Sequence, residues 1–191
     1  MAKYAVICAS NQNRSMEAHN VLSKKGFDVS SYGTGTMVRL PGPSITQPNI
    51  YPFGTPYEDV YQELKAKNEQ LYTQNGLLTM LDRNRKVKQA PQRWHENLDM
   101  YDVIITCEER CFDAVVEDLL NRGQNYNTST HVINVEIKDN HEDALLGGRA
   151  ILQLCQMIEA SSDIDADMAG IIEQFTERNK THPILHTVAY F

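Results

Sequence analysis

Long apolar runs are missing from this sequence, and no stretch approaches the roughly 20 apolar residues that a membrane-spanning helix needs. The N-terminus also lacks the apolar core and small-residue cleavage site of a secretory signal, so we expect the chain to stay inside the cell. Its 41% hydrophobic and 23% charged residues are those of an ordinary soluble globular protein. The length of 191 residues favours a single domain over residues 1–191 with its own core.

Cysteine is scarce as well, and Cys8, Cys107, Cys111 and Cys155 are too scattered for a disulfide framework. No second Cys-x-x-Cys-like pair completes a zinc site, so we expect free thiols and no metal. Basic residues are fewer than acidic ones, and the net charge is −7. This charge opposes nucleic-acid binding by the protein surface as a whole, because the phosphate backbone binds most strongly to clustered lysine and arginine. A polyanionic partner would therefore have to meet a local basic patch.

What the chain does contain is an alternation of short apolar runs with helical patterns. Four apolar runs predict strands: KYAVIC (3–8), DVSSYGTG (28–35), YDVIITCE (101–108) and HVINVEI (131–137). Amphipathic patterns predict helices in four further places: from Ser15, after the third strand, after the fourth strand and from Ile164. Because each parallel neighbour needs a right-handed crossover that a helix can supply, this order predicts an α/β fold with a central parallel sheet and helices on both faces. The final HTVAYF is expected to pack back on the body.

About 65 residues separate the second and third predicted strands, which is far more than a crossover loop needs and predicts an insertion at about 36–100. Five of the seven prolines lie between 41 and 56, and helical spacing follows from Tyr57 in one long helix and one shorter helix. The shorter helix runs into the basic residues Arg83, Arg85, Lys86 and Lys88. A run of this kind is typical of a solvated helix end, although it could also meet an acidic phosphopeptide.

The first predicted strand ends at Cys8, and Arg14 and Ser15 follow at the start of a helix. This order aims backbone N–H groups and the positive end of the helix dipole at one spot, which suits a phosphate and favours an ionised, nucleophilic thiol. Arg14 can offer two donors to two phosphate oxygens, and Ser15 can donate a hydrogen bond to the sulfur. The alternative is that Cys8 is simply a small buried apolar residue.

Phosphoryl transfer to sulfur also needs an acid that protonates the departing alkoxide. Asp139 lies just beyond the fourth strand, at the same sheet edge as Cys8, because the carboxyl ends of parallel strands meet there. Glu136 stands three residues earlier, at the strand end. Asp139 with Glu142 is also a plausible capping box for the next helix, and the two roles are compatible.

Several unusual segments accompany the loop after Cys8. In chain order they are CASNQNRS, SMEAHN, SYGTG, LPGP, YTQNGLLTMLDRN, TCEER, NVEIKDNHEDA and LHTV. The first has the Cys-x5-Arg-Ser form of the low-molecular-weight tyrosine phosphatases. The series as a whole resembles, through nearly the entire chain, the Ssu72 family of RNA polymerase II C-terminal-domain phosphatases. The resemblance implies a three-layer, low-molecular-weight tyrosine-phosphatase-like fold with an inserted proline-rich flap and helical segment.

The same resemblance implies a serine/threonine phosphoprotein phosphatase that removes the fifth-position phosphate of the polymerase heptad through a phosphocysteine intermediate, with no metal and no other cofactor. It implies a substrate with a cis proline after the phosphoserine. It also implies a nuclear role in transcription termination and mRNA 3′-end processing, beside a symplekin-type scaffold of the cleavage and polyadenylation machinery. Neither a membrane nor direct nucleic-acid binding is expected.

Matched position by position, the family's catalytic roles fall on Cys8 as nucleophile, Arg14 as phosphate clamp and Asp139 as general acid. Pro41 and Met80 match positions of the family's substrate groove. The phosphate loop would comprise Ala9, Ser10, Asn11, Gln12, Asn13, Arg14 and Ser15.

Two departures from the family pattern keep rival functions open. Ala9 stands where the family usually has serine, and Glu136 stands where it has aspartate. The longer carboxylate favours a low-activity scaffold component of the 3′-end processing machinery as one alternative. The other alternative is an arsenate reductase on the same fold, in which Cys107 and Cys111 would act as a thiol relay instead of ordinary core thiols.

Overall fold

The computed structural model describes residues 1–123 and 125–191. In chain order its regular elements are β1 (Lys3–Cys8), α1 (Arg14–Lys24), β2 (Asp28–Gly33), β3 (Val38–Leu40), β4 (Asn49–Tyr51), α2 (Tyr57–Gln74), α3 (Leu77–Val87), β5 (Val103–Thr106), α4 (Glu109–Asn121), β6 (Ser129–Val135), α5 (His141–Glu159), α6 (Ile164–Arg178) and β7 (Ile184–Tyr190). A short 3₁₀ turn, Trp94–Glu96, lies between α3 and β5. None of the helices described is long and apolar enough to cross a bilayer.

Five strands form the central sheet in the order β2-β1-β5-β6-β7, and the first four are parallel. The predicted α/β class with a central parallel sheet is confirmed. The three middle strands are almost wholly buried, which agrees with the apolar sequences of β1 and β5, whereas β6 also buries polar residues such as Thr130 and Asn134. The C-terminal tail packs back on the body as predicted, and does so as the antiparallel strand β7, which pairs with the backbone groups of β6.

Helices cover both faces of the sheet. Side chains alternate along β1, so that Val6 and Cys8 belong to one hydrophobic core and Ala5 and Ile7 to another. Residues of α1, α5 and α6 complete the first core, and residues of α4 complete the second. Each fully buried valine, leucine or isoleucine contributes roughly 1.5–3 kcal/mol relative to an exposed one. With both faces covered, the carboxyl-end edge of the parallel strands is left to the loops.

Three of the parallel strands end two residues earlier than their patterns predict. β2 ends at Gly33, β5 at Thr106 and β6 at Val135, so the strands predicted over 28–35, 101–108 and 131–137 are too long at their carboxyl ends. The residues after these strands make single backbone bonds at the carboxyl-end edge: Thr34 and Cys107 donate to the last two residues of β1, Gly35 donates to Ala9, and Ile137 donates to Cys107. These extra residues therefore lie where a ligand would bind.

The segment between β2 and β5 holds the antiparallel pair β3 and β4, followed by α2 and α3. The two helices predicted from Tyr57 onward are present. The strand pair was not predicted, because Val38–Leu40 and Asn49–Tyr51 are too short to show an alternating pattern among the prolines. The strand pair and the helices share a third core with Met16 of α1, which joins this insertion to the sheet. The organisation of 1–191 as a single domain stays a prediction.

Candidate active site

A cavity of about 290 Å³ opens at the carboxyl-end edge of the parallel strands. It is lined by the loop between β1 and α1, the end of β3, the start of α3 and the loop before α5. Cys8, Arg14 and Asp139 all line it, as the sequence predicts. These residues come from distant parts of the chain, and the parallel order of β1, β5 and β6 is what brings them to one edge.

The loop after β1 turns at Asn11, whose backbone φ is 53°. Asparagine is one of the few residues other than glycine that adopt this left-handed conformation at modest cost. Its buried Nδ2 donates to the Oγ of Ser15 at 3.0 Å and to the Oγ of Ser31 at 3.1 Å. Its Oδ1 accepts from the N–H of Gln92 at 3.0 Å. The turn is thus held as a cradle of the kind whose N–H groups bind anions.

Cys8 lies at the base of this cradle with 3% of its surface exposed. Its Sγ is 3.0 Å from the Oγ of Ser15, which is the predicted contact. Because Asn11 already donates to that hydroxyl, the proton of Ser15 is available to the sulfur. Ser15 lies in the first turn of α1, so its hydroxyl group and the positive end of the helix lie on the same side of the sulfur. This arrangement suits a nucleophile.

Arg14 opens α1 and is 4% exposed. Its Nη1 donates to Oε2 of Glu108 at 2.8 Å and to the carbonyl oxygen of Ile137 at 3.0 Å. Its Nε is buried and has no hydrogen-bond partner among the described residues. Burial opposes the charge, but neighbouring acidic groups, led by Cys8, raise the pKa of Arg14 above its ordinary value. Arg14 is therefore a fixed cation with a donor left for phosphate oxygens.

Glu108 is a site residue that the sequence analysis did not identify. It follows β5 by two residues and anchors Arg14 through the 2.8 Å ion pair. Its position is the signal that could have found it, because a carboxylate directly after a buried strand next to β1 must lie at the same edge as Cys8.

Asp139 stands at the rim of the cavity with its side chain 63% exposed. Nδ2 of Asn13 donates to its Oδ1 at 3.0 Å, and the Nε of Arg14 lies 3.6 Å from the same oxygen. The predicted capping box is wrong, because the N-cap of α5 is Asn140, whose Oδ1 accepts from the N–H of Asp143 at 2.9 Å. Capping by the following residue leaves the carboxyl group of Asp139 free to face the cavity.

Comparison with known proteins decides the family. A family model described as "Ssu72-like protein" matches residues 2–191. The chain belongs to the Ssu72 family. The resemblance seen in the sequence is thereby confirmed over nearly the whole chain.

Two members of the Ssu72 family are similar to this chain over almost their full length. The protein of Schizosaccharomyces pombe is 54% identical over 188 residues, which cover 98% of this chain and 95% of that protein. The protein of Danio rerio is 52% identical over 189 residues, which cover 99% of this chain and 97% of that protein. Both are named as phosphatases of the C-terminal domain of RNA polymerase II.

A solved structure extends the comparison to bound molecules. It contains the Ssu72 protein of Drosophila melanogaster with symplekin and a cis peptidomimetic phosphoserine-5 peptide of the polymerase C-terminal domain. That protein is 46% identical to this chain and superposes with a TM-score of 0.95, covering 100% of this chain and 98% of its own.

Ala9 and Glu136, the two departures from the Ssu72 pattern, each take part in a local hydrogen bond. Ala9 contributes its backbone, since its carbonyl oxygen accepts from the N–H of Gly35 at 2.9 Å. Glu136 accepts from Nδ2 of Asn134 at 2.8 Å, and among the described residues it is not one that lines the cavity. The longer carboxylate at this position therefore lies outside the cavity lining, and the low-activity scaffold stays a hypothesis.

Pro41 and Met80 lie on the wall of the cavity, where the resemblance to the Ssu72 family placed the substrate groove. Leu40 and Leu77 lie beside them, so this part of the wall is apolar. The carbonyl oxygen of Pro41 accepts from Nδ2 of Asn49 at 3.0 Å, which ties the residue to β4. An apolar wall suits a proline ring, because both surfaces can be buried without new hydrogen bonds.

Cys107 and Cys111, the two residues of the suggested thiol relay, are fully buried around the start of α4. Burial raises the pKa of both thiols, to about 12 for Cys111. Because the thiolate is the reactive form, this burial opposes a relay. All four cysteines lie in the described ranges and are free, which confirms the prediction of free thiols.

The four basic residues at the end of α3 differ in exposure and in their partners. Arg85 and Lys86 pair with Asp82 on the same helix, as expected of a solvated helix end. The prediction is wrong for Arg83, whose side chain is 15% exposed and faces the loop after β1. It is also wrong for Lys88, whose Nζ donates to the backbone of β2 at 2.7 Å and whose pKa is lowered by burial to about 7.

Proposed function

We propose that this chain is a cysteine-dependent phosphatase that removes the fifth-position serine phosphate from heptad repeats of the RNA polymerase II C-terminal domain. The observation that carries the proposal is the meeting of Cys8, Arg14 and Asp139 in one cavity, with the sulfur at the N-terminal end of α1 and the carboxyl group at the rim. The names of the two Ssu72 relatives and the peptide bound to the Drosophila protein support the substrate.

The first step transfers the phosphoryl group to sulfur. The thiolate of Cys8 attacks phosphorus, a sulfur–phosphorus bond forms, and the bond from phosphorus to the serine oxygen breaks. Arg14 and the N–H groups of the loop hold the three remaining oxygens and balance their charge. Asp139 gives its proton to the departing serine oxygen, because an alkoxide is a poor leaving group.

The second step returns the enzyme to its starting state. Asp139, now a carboxylate, takes a proton from a water molecule as the water oxygen attacks the phosphorus of phosphocysteine. The sulfur–phosphorus bond breaks, inorganic phosphate leaves, and Cys8 is again a thiolate. Asn13, whose Nδ2 lies 3.0 Å from Oδ1 of Asp139, keeps the carboxyl group in place for both steps.

The cavity wall and the bound Drosophila protein extend the proposal to the substrate's surroundings. We assign to Pro41 and Met80 the contact with the proline that follows the phosphoserine. The Drosophila protein holds a cis peptidomimetic together with symplekin, so a cis prolyl substrate and a symplekin-type partner are proposed for this chain as well. We therefore also propose a nuclear role in transcription termination and mRNA 3′-end processing, which such a substrate supports.

The test uses heptad peptides that are each phosphorylated at a single position. The wild type is expected to release phosphate fastest from the fifth-position peptide. Cys8→Ser should bind that peptide without releasing phosphate, because serine is a much weaker nucleophile than a thiolate. Acid-quenched wild type should carry one phosphate on the proteolytic fragment that contains Cys8, as measured by mass spectrometry.

Cys155→Ala is the matched control, because Cys155 lies in the core part of α5 and should not affect turnover. Undiminished turnover by Cys8→Ser, or a phosphate found on another cysteine, would rule out the mechanism. If phosphate were released fastest from a peptide phosphorylated elsewhere in the heptad, the proposed substrate would be wrong, while the proposed cysteine-dependent mechanism would be unaffected.

A further inference from the structure

Arg83 of α3 is packed against the loop between β1 and α1. Its Nη2 donates to the carbonyl oxygen of Gln12 at 2.8 Å and to that of Asn13 at 3.3 Å. Its Nη1 pairs with Oε2 of Glu17 at 2.8 Å. The next residue, Asn84, donates to the same carbonyl oxygen of Gln12 at 2.8 Å. α3 therefore holds two successive peptide groups of the loop through their carbonyl oxygens.

The direction of each carbonyl group determines the direction of the N–H group that follows it, because the two point opposite ways in a planar trans peptide. With the carbonyl of Gln12 turned to α3, the N–H of Asn13 points away from α3. The carbonyl oxygen of Asn13 also accepts from the N–H of Glu17 within α1 at 2.9 Å, so the helix and Arg83 together direct the N–H of Arg14. These N–H groups stand at the start of α1, where an anion would be bound.

Other carbonyl groups of the loop are held in the same way by neighbouring elements. The carbonyl oxygen of Ala9 accepts from the N–H of Gly35 at 2.9 Å. The carbonyl oxygen of Asn11 accepts from the hydroxyl of Tyr57 at 2.6 Å. Among these donors Arg83 is the one that carries a charge.

The guanidinium of Arg83 lies against the loop that follows Cys8, so its charge contributes to the electrostatic field around that loop. Burial lowers the pKa of Arg83, while Glu17, Tyr57 and Cys8 act in the opposite direction. The ion pair with Glu17, whose side chain is 9% exposed, compensates the burial of the guanidinium. The result is a second cation beside the loop, half-buried, in addition to the buried Arg14.

We propose that Arg83 is a positioning residue of the phosphate loop, which turns the N–H groups of Asn13 and Arg14 toward the substrate phosphate and adds its charge to the field at the sulfur of Cys8. It acts through the loop and does not line the cavity. The inference rests on the proposed phosphatase function. It gives the inserted helix α3 a part in phosphate binding besides its apolar contact with the peptide.

The experiment compares three variants with the wild type. Arg83→Met keeps most of the stem and removes the charge and the donors, and Arg83→Lys keeps the charge without the planar fork. Arg85→Met is the matched control two residues along, because Arg85 pairs with Glu58 and Asp82. The measured quantities are kcat and KM for the fifth-position phosphopeptide, the inhibition constant of orthovanadate, the rate of Cys8 alkylation by iodoacetamide, and the unfolding temperature.

Arg83→Met is expected to lower kcat/KM about 10- to 100-fold and to weaken orthovanadate inhibition by a similar factor, because the loop donors are displaced. It should also slow alkylation of Cys8 at neutral pH. Arg83→Lys should restore the alkylation rate and leave orthovanadate inhibition weak. Arg85→Met should stay within about twofold of the wild type in every quantity. A purely structural role would lower the unfolding temperature and leave the orthovanadate affinity of the folded enzyme unchanged.

The proposal is overturned if orthovanadate inhibits Arg83→Met, measured below its unfolding temperature, as strongly as Arg85→Met. If Arg83→Met does not fold, Arg83→Lys provides the test. Orthovanadate inhibition of Arg83→Lys equal to that of the wild type would overturn the role of the planar guanidinium group. A wild type that neither hydrolyses the peptide nor binds orthovanadate overturns the proposed function and this inference together. An active wild type with unaffected Arg83 variants overturns this inference alone.

Discussion

At the scale of single residues, Asn11 joins four parts of the molecule beneath the thiol. Its Nδ2 donates to Ser15 of α1 and to Ser31 of β2, and its Oδ1 accepts from the N–H of Gln92. Its carbonyl oxygen accepts from Tyr57 of α2. A short side chain with two donors and one acceptor is needed here, and the amide of asparagine supplies them while its backbone tolerates the left-handed turn.

Asp139→Asn is expected to lower the rate of phosphoserine hydrolysis about 10²- to 10⁴-fold, which corresponds to roughly 3 to 5.5 kcal/mol of activation free energy. The amide keeps the shape of the side chain but cannot protonate the leaving oxygen. The loss should be much smaller for p-nitrophenyl phosphate, whose leaving group needs no proton. Steady-state rates on both substrates, measured at one pH, test this difference.

Glu142→Gln is the control for this substitution. Glu142 is exposed in the first turn of α5, and it would have been the partner of Asp139 in a capping box. We expect wild-type rates on both substrates, within about twofold. If Asp139→Asn lost equal factors on the two substrates, the residue would be acting by some means other than protonation of the leaving group.

At the scale of elements, one face of α3 contacts both the cavity and the loop between β1 and α1. Met80 lines the cavity, while Arg83 and Asn84 bond to the loop. Residues at i, i+3 and i+4 share one face of a helix, so a single helix orientation satisfies both contacts. This spacing is the signal from which the burial of Arg83 could have been predicted once Met80 had been placed in the groove.

The end of β2 supports the same loop through a close backbone contact at Gly33. A Cβ atom added there would lie 2.7 Å from the carbonyl oxygen of Ala9 and 2.8 Å from the ring of Phe53. Because the added Cβ atom would contact the backbone of Ala9, rotation of a side chain cannot relieve this contact. Gly33→Ala is expected to lower the free energy of unfolding by about 1–3 kcal/mol. It should also weaken orthovanadate inhibition, since Ala9 belongs to the loop. Urea unfolding and inhibition assays measure the two effects.

Gly170→Ala is expected to change the free energy of unfolding in the opposite direction. Gly170 lies within α6, and an added Cβ atom would have no neighbour within 4 Å. This substitution should raise the free energy of unfolding by about 0.5–1 kcal/mol, because alanine loses less backbone entropy in a helix. A Gly33→Ala protein as stable as the wild type would contradict the close approach of β2 to the loop.

At the scale of the whole molecule, an acidic protein has to bind a dianion. The net charge is −7, yet the buried Arg14 and the half-buried Arg83 lie beside the loop that contains Cys8. Solvent and salt screen these two charges less than they screen the exposed charges of the surface. The local basic patch that the composition requires is therefore made of one buried and one half-buried arginine from two helices.

The stability of the molecule should depend on pH through His19. This side chain lies 2.8 Å from the Oγ of Ser31, and burial, with a smaller effect of Lys88, lowers its pKa from the ordinary 6.5 to about 4. The unfolded chain therefore binds more protons between pH 4 and 6.5, so stability that is present above pH 6.5 is lost as the pH falls through this window. His19→Gln should lose about 1–2 kcal/mol less than the wild type between about pH 7.5 and about pH 5. Urea unfolding at the two pH values measures the difference.

His95→Gln is the matched control, because His95 is exposed in the 3₁₀ turn. It should reproduce the wild-type change in unfolding free energy between the two pH values. Equal losses in the wild type and in His19→Gln would show that His19 is not held neutral by the fold.

Much of the fold could be predicted because its signals are local. The apolar runs of β1, β5 and β6 and the helical stripes between them indicate a parallel sheet, and the order of elements then places Cys8 and Asp139 at one edge. The thiol, Arg14 and Ser15 lie close together in the sequence, so their contact with a bound anion follows from one strand, loop and helix. The strand pair of β3 and β4 carried no such signal, because each strand has only three residues.

By itself the sequence determined the α/β class and the position of Cys8, Arg14 and Asp139 at one edge of the sheet, because short-range patterns and strand order suffice for them. Only the tertiary structure decided which residues support that loop. Glu108 anchors Arg14 from 94 positions away, and Arg83 reaches the carbonyl of Gln12 from 71 positions away. Hydrogen bonds between such distant residues depend on how helices pack on the sheet, and no local periodicity encodes that packing.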